Sequence, residues 1–277
     1  MRFLRKHRNQ ILLHLILLPF MLIFIYPIFW TLISSFKTDQ DVFSNLWGLP
    51  TFWNVENYFN VWNVARLDRA FFNSLYISFF TVLIVIIITI LASYAFSQDN
   101  SKFMKIIFIA FIATFMLPAD VLFLTIFFQI RDLGLINSFW GVILPSAALG
   151  MTFSIFILTN FMKELPQSIL DSATIDGCSR FRLLTSIVVP LVREPIFVLI
   201  IFQFTATWNS FILPLVVLRR PDMLVLPQVL AGFIGQLHVR YTEMFAAIII
   251  TFIPVLVLFV LFQRSFIQGM SQGALKE

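Results

Sequence analysis

The sequence predicts an all-α membrane protein with six transmembrane helices. Three observations lead there. First, 60% of the 277 residues are hydrophobic and only 12% are charged, about half the charge of a soluble domain, and mean hydropathy is +0.93. Side chains this apolar cannot all face inward in a chain of this size, so the bilayer is the solvent for much of the surface. Second, six apolar runs come near or exceed the ~20 residues that a spanning helix needs. They lie at 11–36, 71–96, 106–130, 138–161, 195–218 and 245–263. Third, with the N-terminus inside, the internal segments hold 12 of the 19 Lys and Arg and the external segments 7. The cluster Arg2, Arg5, Lys6 and Arg8 strengthens that orientation, because the first helix usually dominates.

The first run follows the basic leader MRFLRKHRNQ. It is longer than the apolar region of a secretory signal, and no small-x-small cleavage site follows, so it reads as a retained anchor. The next stretch, 37–70, is a long external loop carrying NLWGLPTFW and ENYFNVW, whose Trp and Tyr suit a membrane interface. Asn73 and Ser74 read as caps that open span two. Six spans return the C-terminus to the cytoplasm. The organisation is then a cytoplasmic N-terminus with the first span (1–36), the external loop (37–70), a five-span core (71–266) containing a cytoplasmic loop (162–194), and a cytoplasmic tail (267–277).

Several classes are excluded. A single cysteine, Cys178, rules out an internal disulfide and a cysteine metal cluster. The three histidines are too scattered for a metal site. The net charge of +5 is spread over loops and not gathered in a stripe, so it reflects membrane topology and not nucleic acid. An ion-coupled secondary transporter would need paired intramembrane carboxylates or an inverted repeat, and an intramembrane enzyme a catalytic pairing or H-E-x-x-H. Neither is visible.

A charged island interrupts the apolar pattern between spans four and five. It reads DSATIDGCSRFRLLTSIVVPLVREP, residues 171–195. Asp171, Asp176, Arg180 and Arg182 exclude it from the bilayer, since each would cost about 2.5–3.5 kcal/mol at a helix centre. Pro166 suits a first helical turn, and Ser168 with Asp171 resembles a capping box. Gly177 suits the left-handed end of a helix. Ser179 can cap a second helix whose Phe181, Leu184 and Val188 recur at helical spacing. The pattern is two short helices hinged at Gly177. Two readings stand on these residues alone: a loop packed on its own bundle, or a knob held by a partner protein.

The island resembles the cytoplasmic loop of ABC importer permeases, E-A-A-x(3)-G-x(9)-I-x-L-P. Asp171, Ser172 and Ala173 stand at its E-A-A positions, Gly177 at its glycine, and Ile187, Val189 and Pro190 at I-x-L-P. Asp176 matches the Asp that precedes the glycine in sugar importers. ENYFNVW, FFNSL (71–75), ASYAFS (92–97), MLP (116–118), WNSFILPL (208–215) and the tail QRSFIQGMSQGALKE also match the carbohydrate, maltose-type branch in order. The resemblance implies a type I ABC importer permease fold in a bacterial or archaeal cytoplasmic membrane, with both termini cytoplasmic. It implies import of a sugar, a di- or oligosaccharide, with glycerol phosphate as the alternative. It places Asp171, Ser172, Ala173, Asp176, Gly177 and Pro190 at a coupling helix that docks on an ATPase dimer. It also implies a second homologous permease and an extracytoplasmic solute-binding protein. The chain has no G-x-x-x-x-G-K-[ST] loop, so it is not an enzyme by itself. No cofactor is expected on this chain, and ATP and Mg belong to the partner ATPase.

Two candidate features of a sugar path follow, each with an alternative. Asp120 lies inside span three, where an ionisable group marks function. Alternatively the span breaks at Pro118 and Asp120 caps the next segment. In span five, Gln203, Thr205, Thr207, Trp208, Asn209 and Ser210 offer hydrogen bonds and an aromatic platform. Alternatively they bond neighbouring helices.

Overall fold

The computed structural model describes the backbone of residues 2–233 and 240–274 and the side chains of 14–118, 121–233 and 240–263. His238, the side chain of Asp120 and the side chains of the basic leader and tail motif lie outside the described residues. Among the described residues all regular structure is helical. Among the described residues four helices are long and apolar enough to cross a membrane, or up to six if each of two bent helix pairs counts as one span. Two compact units divide the chain: Met1–Asp68 with Val229–Ile253, and Arg69–Gln228 with Pro254–Glu277.

The first unit holds α1 (Arg2–Ser34), α2 (Asp39–Ser44) and α3 (Glu56–Phe59), which runs on into a π turn at Asn60–Val64. Pro19 and Pro27 sit inside α1, as spanning helices tolerate. No residue in the best apolar window of α1 is buried. Helix α2 starts where Thr38 accepts a hydrogen bond from Asp41 N–H, with Asp39 and Asp41 in its first turn. Around it the loop is a hydrogen-bonded unit, not a slack connection. Asn57 Nδ2 donates to the carbonyls of Ser35 (2.8 Å) and Lys37 (2.9 Å), and Tyr58 and Ser35 share a 2.6 Å hydroxyl contact. Burial pushes the Tyr58 hydroxyl above its usual pKa, and the Ser35 bond acts against that.

The second unit is built on α4 (Leu67–Gln98), α5 (Lys102–Ala113), α6 (Ala119–Asp132) and α7 (Trp140–Lys163), then α8 (Gln167–Ile175), α9 (Arg180–Leu183), α10 (Val189–Leu191), α11 (Arg193–Trp208) and α12 (Ile212–Val217). The helices α13 (Leu226–Gly232) and α14 (Tyr241–Ala274) complete the chain. One face of α4 carries Ser74, Ser78, Thr81, Val85, Thr89 and Ser93, all buried. Small side chains let neighbouring backbones approach closely in a bilayer, where hydrophobicity cannot draw helices together. Ser93 Oγ reaches the carbonyl of Ile155 on α7 at 3.3 Å.

Two of the expected spans are broken. Span three turns by 106° between α5, extended by a 3-10 turn at Thr114–Met116, and α6. Pro118 stands at the break as the N-cap of α6, with extended backbone. It lacks an N–H and bars the preceding residue from helical geometry. The break falls at Pro118, as in the alternative arrangement, but Pro118 and not Asp120 is the N-cap; the Asp120 backbone lies in the first turn of α6. Span five, expected to be continuous over 195–218, ends as α11 at Trp208 and resumes as α12 at Ile212. Pro214 in the second segment would clash with the carbonyl four residues back, at Ser210, if the helix ran through.

Asn73 and Ser74 are not caps. Helix α4 starts at Leu67, so both lie in its second turn. Asn73 Nδ2 donates to the carbonyls of Asp222 (3.1 Å) and Leu224 (2.9 Å), and Ser74 Oγ accepts from Leu226 N–H (2.9 Å). They fasten the segment after α12 onto α4.

Candidate functional site

The island folds as two short helices joined at Gly177. The first, α8, ends in two nested hydrogen bonds. Gly177 N–H donates to the carbonyl of Thr174 and Cys178 N–H to that of Ala173, both at 3.0 Å. Gly177 has φ +79°. This is the Schellman end, which favours a residue free of a Cβ. Ser179 then caps α9, its Oγ accepting from Arg182 N–H at 3.4 Å. The capping box between Ser168 and Asp171 does not form. Pro166 is the N-cap and makes no side-chain cap bond. Ser168 instead gives its carbonyl to Ser172 Oγ, and Asp171 Oδ1 accepts from Gln167 Nε2 at 3.0 Å.

After α9 the chain widens into a π turn at Leu184–Val188. Val189 N–H bonds the Leu184 carbonyl, one residue further back than in an α-helix. Pro190 follows at once, and the wider turn accommodates its missing N–H and its ring. The chain passes through α10 and bends by 78° into α11. Leu170, Leu183, Leu184, Val188 and Val192 of this region share one core with Leu158 and Met162 of α7 and Ile196 and Leu199 of α11. The knob is therefore packed onto two membrane helices and is not a free loop.

Its outer surface carries Asp171, Ser172, Asp176 and Pro190, all exposed. Ala173 is half-buried: it packs against the inner core and also lines the cleft beside Asp176 and Gly177. Phe181 shares a helical spacing with Leu184 and Val188 but not their burial. It is 73% exposed, and Leu183 takes the inward place. Ile175 at the end of α8 is 85% exposed. Sequence reasoning did not single out Ile175; its signal was a large apolar side chain next to the helix-ending Asp-Gly pair. A cleft of about 350 Å³ lies behind α8, lined by Ala173, Asp176, Gly177, Cys178, Arg182, Ser186 and Ile187.

The polar patch of span five divides in two. Trp208 is 1% exposed. It stacks on Phe204 (5.3 Å, 19°) and meets Phe71 edge-on (5.6 Å, 86°). Gln203 is buried, donates to Thr207 Oγ1 at 3.2 Å, and lies so close to Gly150 of α7 that a Cβ there would overlap it. These residues hold helices together. Asn209 is exposed and Ser210 half-exposed, at the break after α11. Within the elbow of span three, a pocket of about 680 Å³ opens between α6, α7 and the 3-10 turn that follows α5. It is mainly apolar, with Thr114, Gln129 and Thr152 as its polar side chains. Asn137 (φ +57°) and Gln228 were also missed. Asn137 Oδ1 accepts from Arg219 N–H at 2.8 Å, and Gln228 Nε2 donates to the Leu218 carbonyl at 3.2 Å, together fixing the end of α12. Among the described residues no group of His, Cys, Asp and Glu is placed to hold a metal.

Residues 89–272 match the family model described as binding-protein-dependent transport system inner membrane component. The chain is 30% identical to the diacetylchitobiose uptake system permease protein NgcG of Streptomyces coelicolor, over 95% of this chain and 88% of that protein. It is 30% identical to the arabinooligosaccharides transport system permease protein AraQ of Bacillus subtilis, over 96% of both. Among solved structures it resembles a chain of a bacterial ABC transporter involved in import of the acidic polysaccharide alginate. That match has a TM-score of 0.81 at 21% identity and covers 94% of this chain and 97% of the other.

Proposed function

The chain belongs to the family of binding-protein-dependent transport system inner membrane components, and from that premise we propose that it admits a di- or oligosaccharide to the cytoplasm through a path shared with a second, homologous permease. It is the membrane-spanning permease subunit of an ATP-driven ABC importer, and a separate subunit hydrolyses the ATP. The substrate class rests on its relatives, which are named for oligosaccharides.

The observation that carries the mechanism is the knob. Its core side joins α7 and α11, and its outer side presents Ile175 and Phe181 among Asp171, Asp176, Arg180 and Arg182. Large apolar side chains ringed by charge on a short helix suit a groove in a partner. Asp176 caps the carbonyl end of α8, where the helix dipole disfavours an anion. A cation on the partner would relieve that. The partner in this reading is an ATPase dimer carrying ATP and Mg, and this chain binds no cofactor. ATP closes the dimer because it binds the two states unequally, and the knob passes the closure to α11. A solute-binding protein delivers substrate from outside, and both termini lie in the cytoplasm. The path runs past the two broken spans, with Asn209 and Ser210 as its polar groups, while Gln203 and Trp208 shape it from behind; Asp120 is a further candidate by its position in the sequence.

The test is the reconstituted complex with its cognate binding protein. Di- and oligosaccharides that bind the binding protein should stimulate ATP hydrolysis and accumulate inside vesicles. Stimulation by glycerol phosphates and by no saccharide would overturn the sugar assignment.

A further inference from the structure

The stretch after α1 turns back along the first span. The chain leaves α1 at Ser34, yet Trp30 Nε1 donates to the Leu46 carbonyl at 3.0 Å. One residue on, the Trp47 ring sits 6.2 Å from that of Tyr26. The chain then returns, and Asn54 N–H bonds the Phe36 carbonyl at 2.8 Å beside the Phe36–Trp53 ring pair. Residues 37–54 are thus an Ω-shaped loop with neighbouring ends and its tip at Trp47. Tyr26 lies eight residues before the end of α1, about 12 Å down the helix axis. The apolar part of α1, residues 11–34, is about 36 Å long, a few ångströms more than the ~30 Å hydrocarbon core. The tip therefore reaches below the outer boundary of that core.

Its chemistry fits the depth. Residues 42–55 contain no Asp, Glu, Lys, Arg or His. Phe43, Trp47, Leu49, Phe52 and Trp53 are all exposed, Trp47 by 74%. Their surface continues the exposed apolar face of α1. Irregular backbone in a bilayer must have its polar groups paired without water, and here side chains pair part of the tip's backbone. Lys37, itself buried, donates from Nζ to the carbonyls of Asn45 (2.6 Å) and Leu46 (3.3 Å). Asn45 Nδ2 donates to the Leu49 carbonyl at 2.8 Å, and Asp41 Oδ2 accepts from Thr51 N–H at 2.9 Å.

We propose that the 37–54 loop is a membrane anchor, its Trp47 tip inserted among the lipids of the outer leaflet and Lys37 pinning the tip's carbonyls. The occupant of this surface is lipid, because the tip is uncharged, interfacial in composition, and continuous with the bare face of α1. The proposal depends on the chain crossing a bilayer and is independent of which solute it carries.

The experiment uses the assembled transporter in lipid nanodiscs. Nitroxide labels are placed singly at Trp47→Cys, Leu49→Cys, Phe52→Cys and, as an external control, Asn63→Cys. The parental chain, labelled only at Cys178, supplies the background. Collision with oxygen, which partitions into lipid, is compared with collision with a nickel chelate, which stays in water. Oxygen should exceed the chelate several-fold at Trp47 and Leu49, with the reverse order at Asn63. Dominance of the chelate at Trp47 and Leu49 would put the loop in water and end the proposal. Exclusion of both reagents there would mean that a protein partner covers the tip, and would equally end it. Should Trp47→Cys fail to assemble, Leu49 and Phe52 decide. Adding Lys37→Met to Leu49→Cys should raise chelate collision several-fold; no change would remove Lys37 from the role of pin.

Discussion

Gly177 and Gln203 show opposite relations between a residue and the sequence around it. Gly177 was legible because a helix that stops in the left-handed region favours a residue without a Cβ, and the φ of +79° meets that expectation. A Cβ there is disfavoured by about 1–2 kcal/mol. Gly177→Val should leave the subunit in the membrane but re-aim α8, so that less ATPase co-purifies and substrate no longer stimulates hydrolysis. Gly177→Asn should retain most coupling, because Asn visits the left-handed region readily; equal loss in both variants would mean that side-chain bulk matters and φ does not. The patch around Gln203 and Trp208 was not legible in the same way. In a bilayer the outside is as apolar as the inside, so polar residues on a span do not declare which way they face. Gln203→Ala removes the Thr207 bond and opens space beside Gly150, at a cost of about 1–3 kcal/mol, and should show as a lower yield or melting temperature of the complex. Asn209→Ala touches an exposed side chain at the break. It should reduce uptake while assembly and basal ATP hydrolysis persist. If Asn209→Ala disassembles the complex and Gln203→Ala does not, the division of the patch is wrong.

At the scale of elements, the apolar runs gave the spans, and the charged island gave two short helices on either side of Gly177. The breaks at Pro118 and at Asn209–Ser210 were harder to see, since a hydropathy window averages composition and ignores the direction of the backbone. Pro118 offered an alternative; Pro214 lies four residues past the break that it favours, so its effect is displaced from its position. The burial of Leu184 and Val188 without Phe181 has a similar reason. Phe181 sits at the capped start of α9, and the π turn that follows departs from the 3.6-residue spacing of a regular helix. Exposed Ile175 and Phe181 now make a sharper test of the knob than Ala173, which also packs on the inner core. Ile175→Asp and Phe181→Asp disturb no core contact, so membrane insertion should be normal while ATPase co-purification falls several-fold. Normal retention in both variants would place the ATPase contact elsewhere.

For the molecule as a whole, the spans and the 12-to-7 charge bias predict that cysteines at Ser101, Ser172 and the C-terminus resist an impermeant thiol reagent in intact cells, while one at Asn63 reacts. Labelling at the C-terminus would mean an odd number of crossings. One chain presents one knob, so purification with its partners should yield two different permeases for each ATPase pair; an active complex with this chain alone would favour a homodimer. The junction at Val192 sets how such an assembly works mechanically. No loop separates the knob from α11: the chain goes from α10 into α11 across a single residue at 78°, with both arms seated in one core. That is a bell crank and not a tether. In the proposed reading, a push on the knob would turn the far end of α11, at Asn209, and a side load at Asn209 would swing the knob by the same linkage. In the proposed assembly the machine would be readable from either end: a solute arriving outside would change how the knob presents itself to the ATPase before any nucleotide is spent.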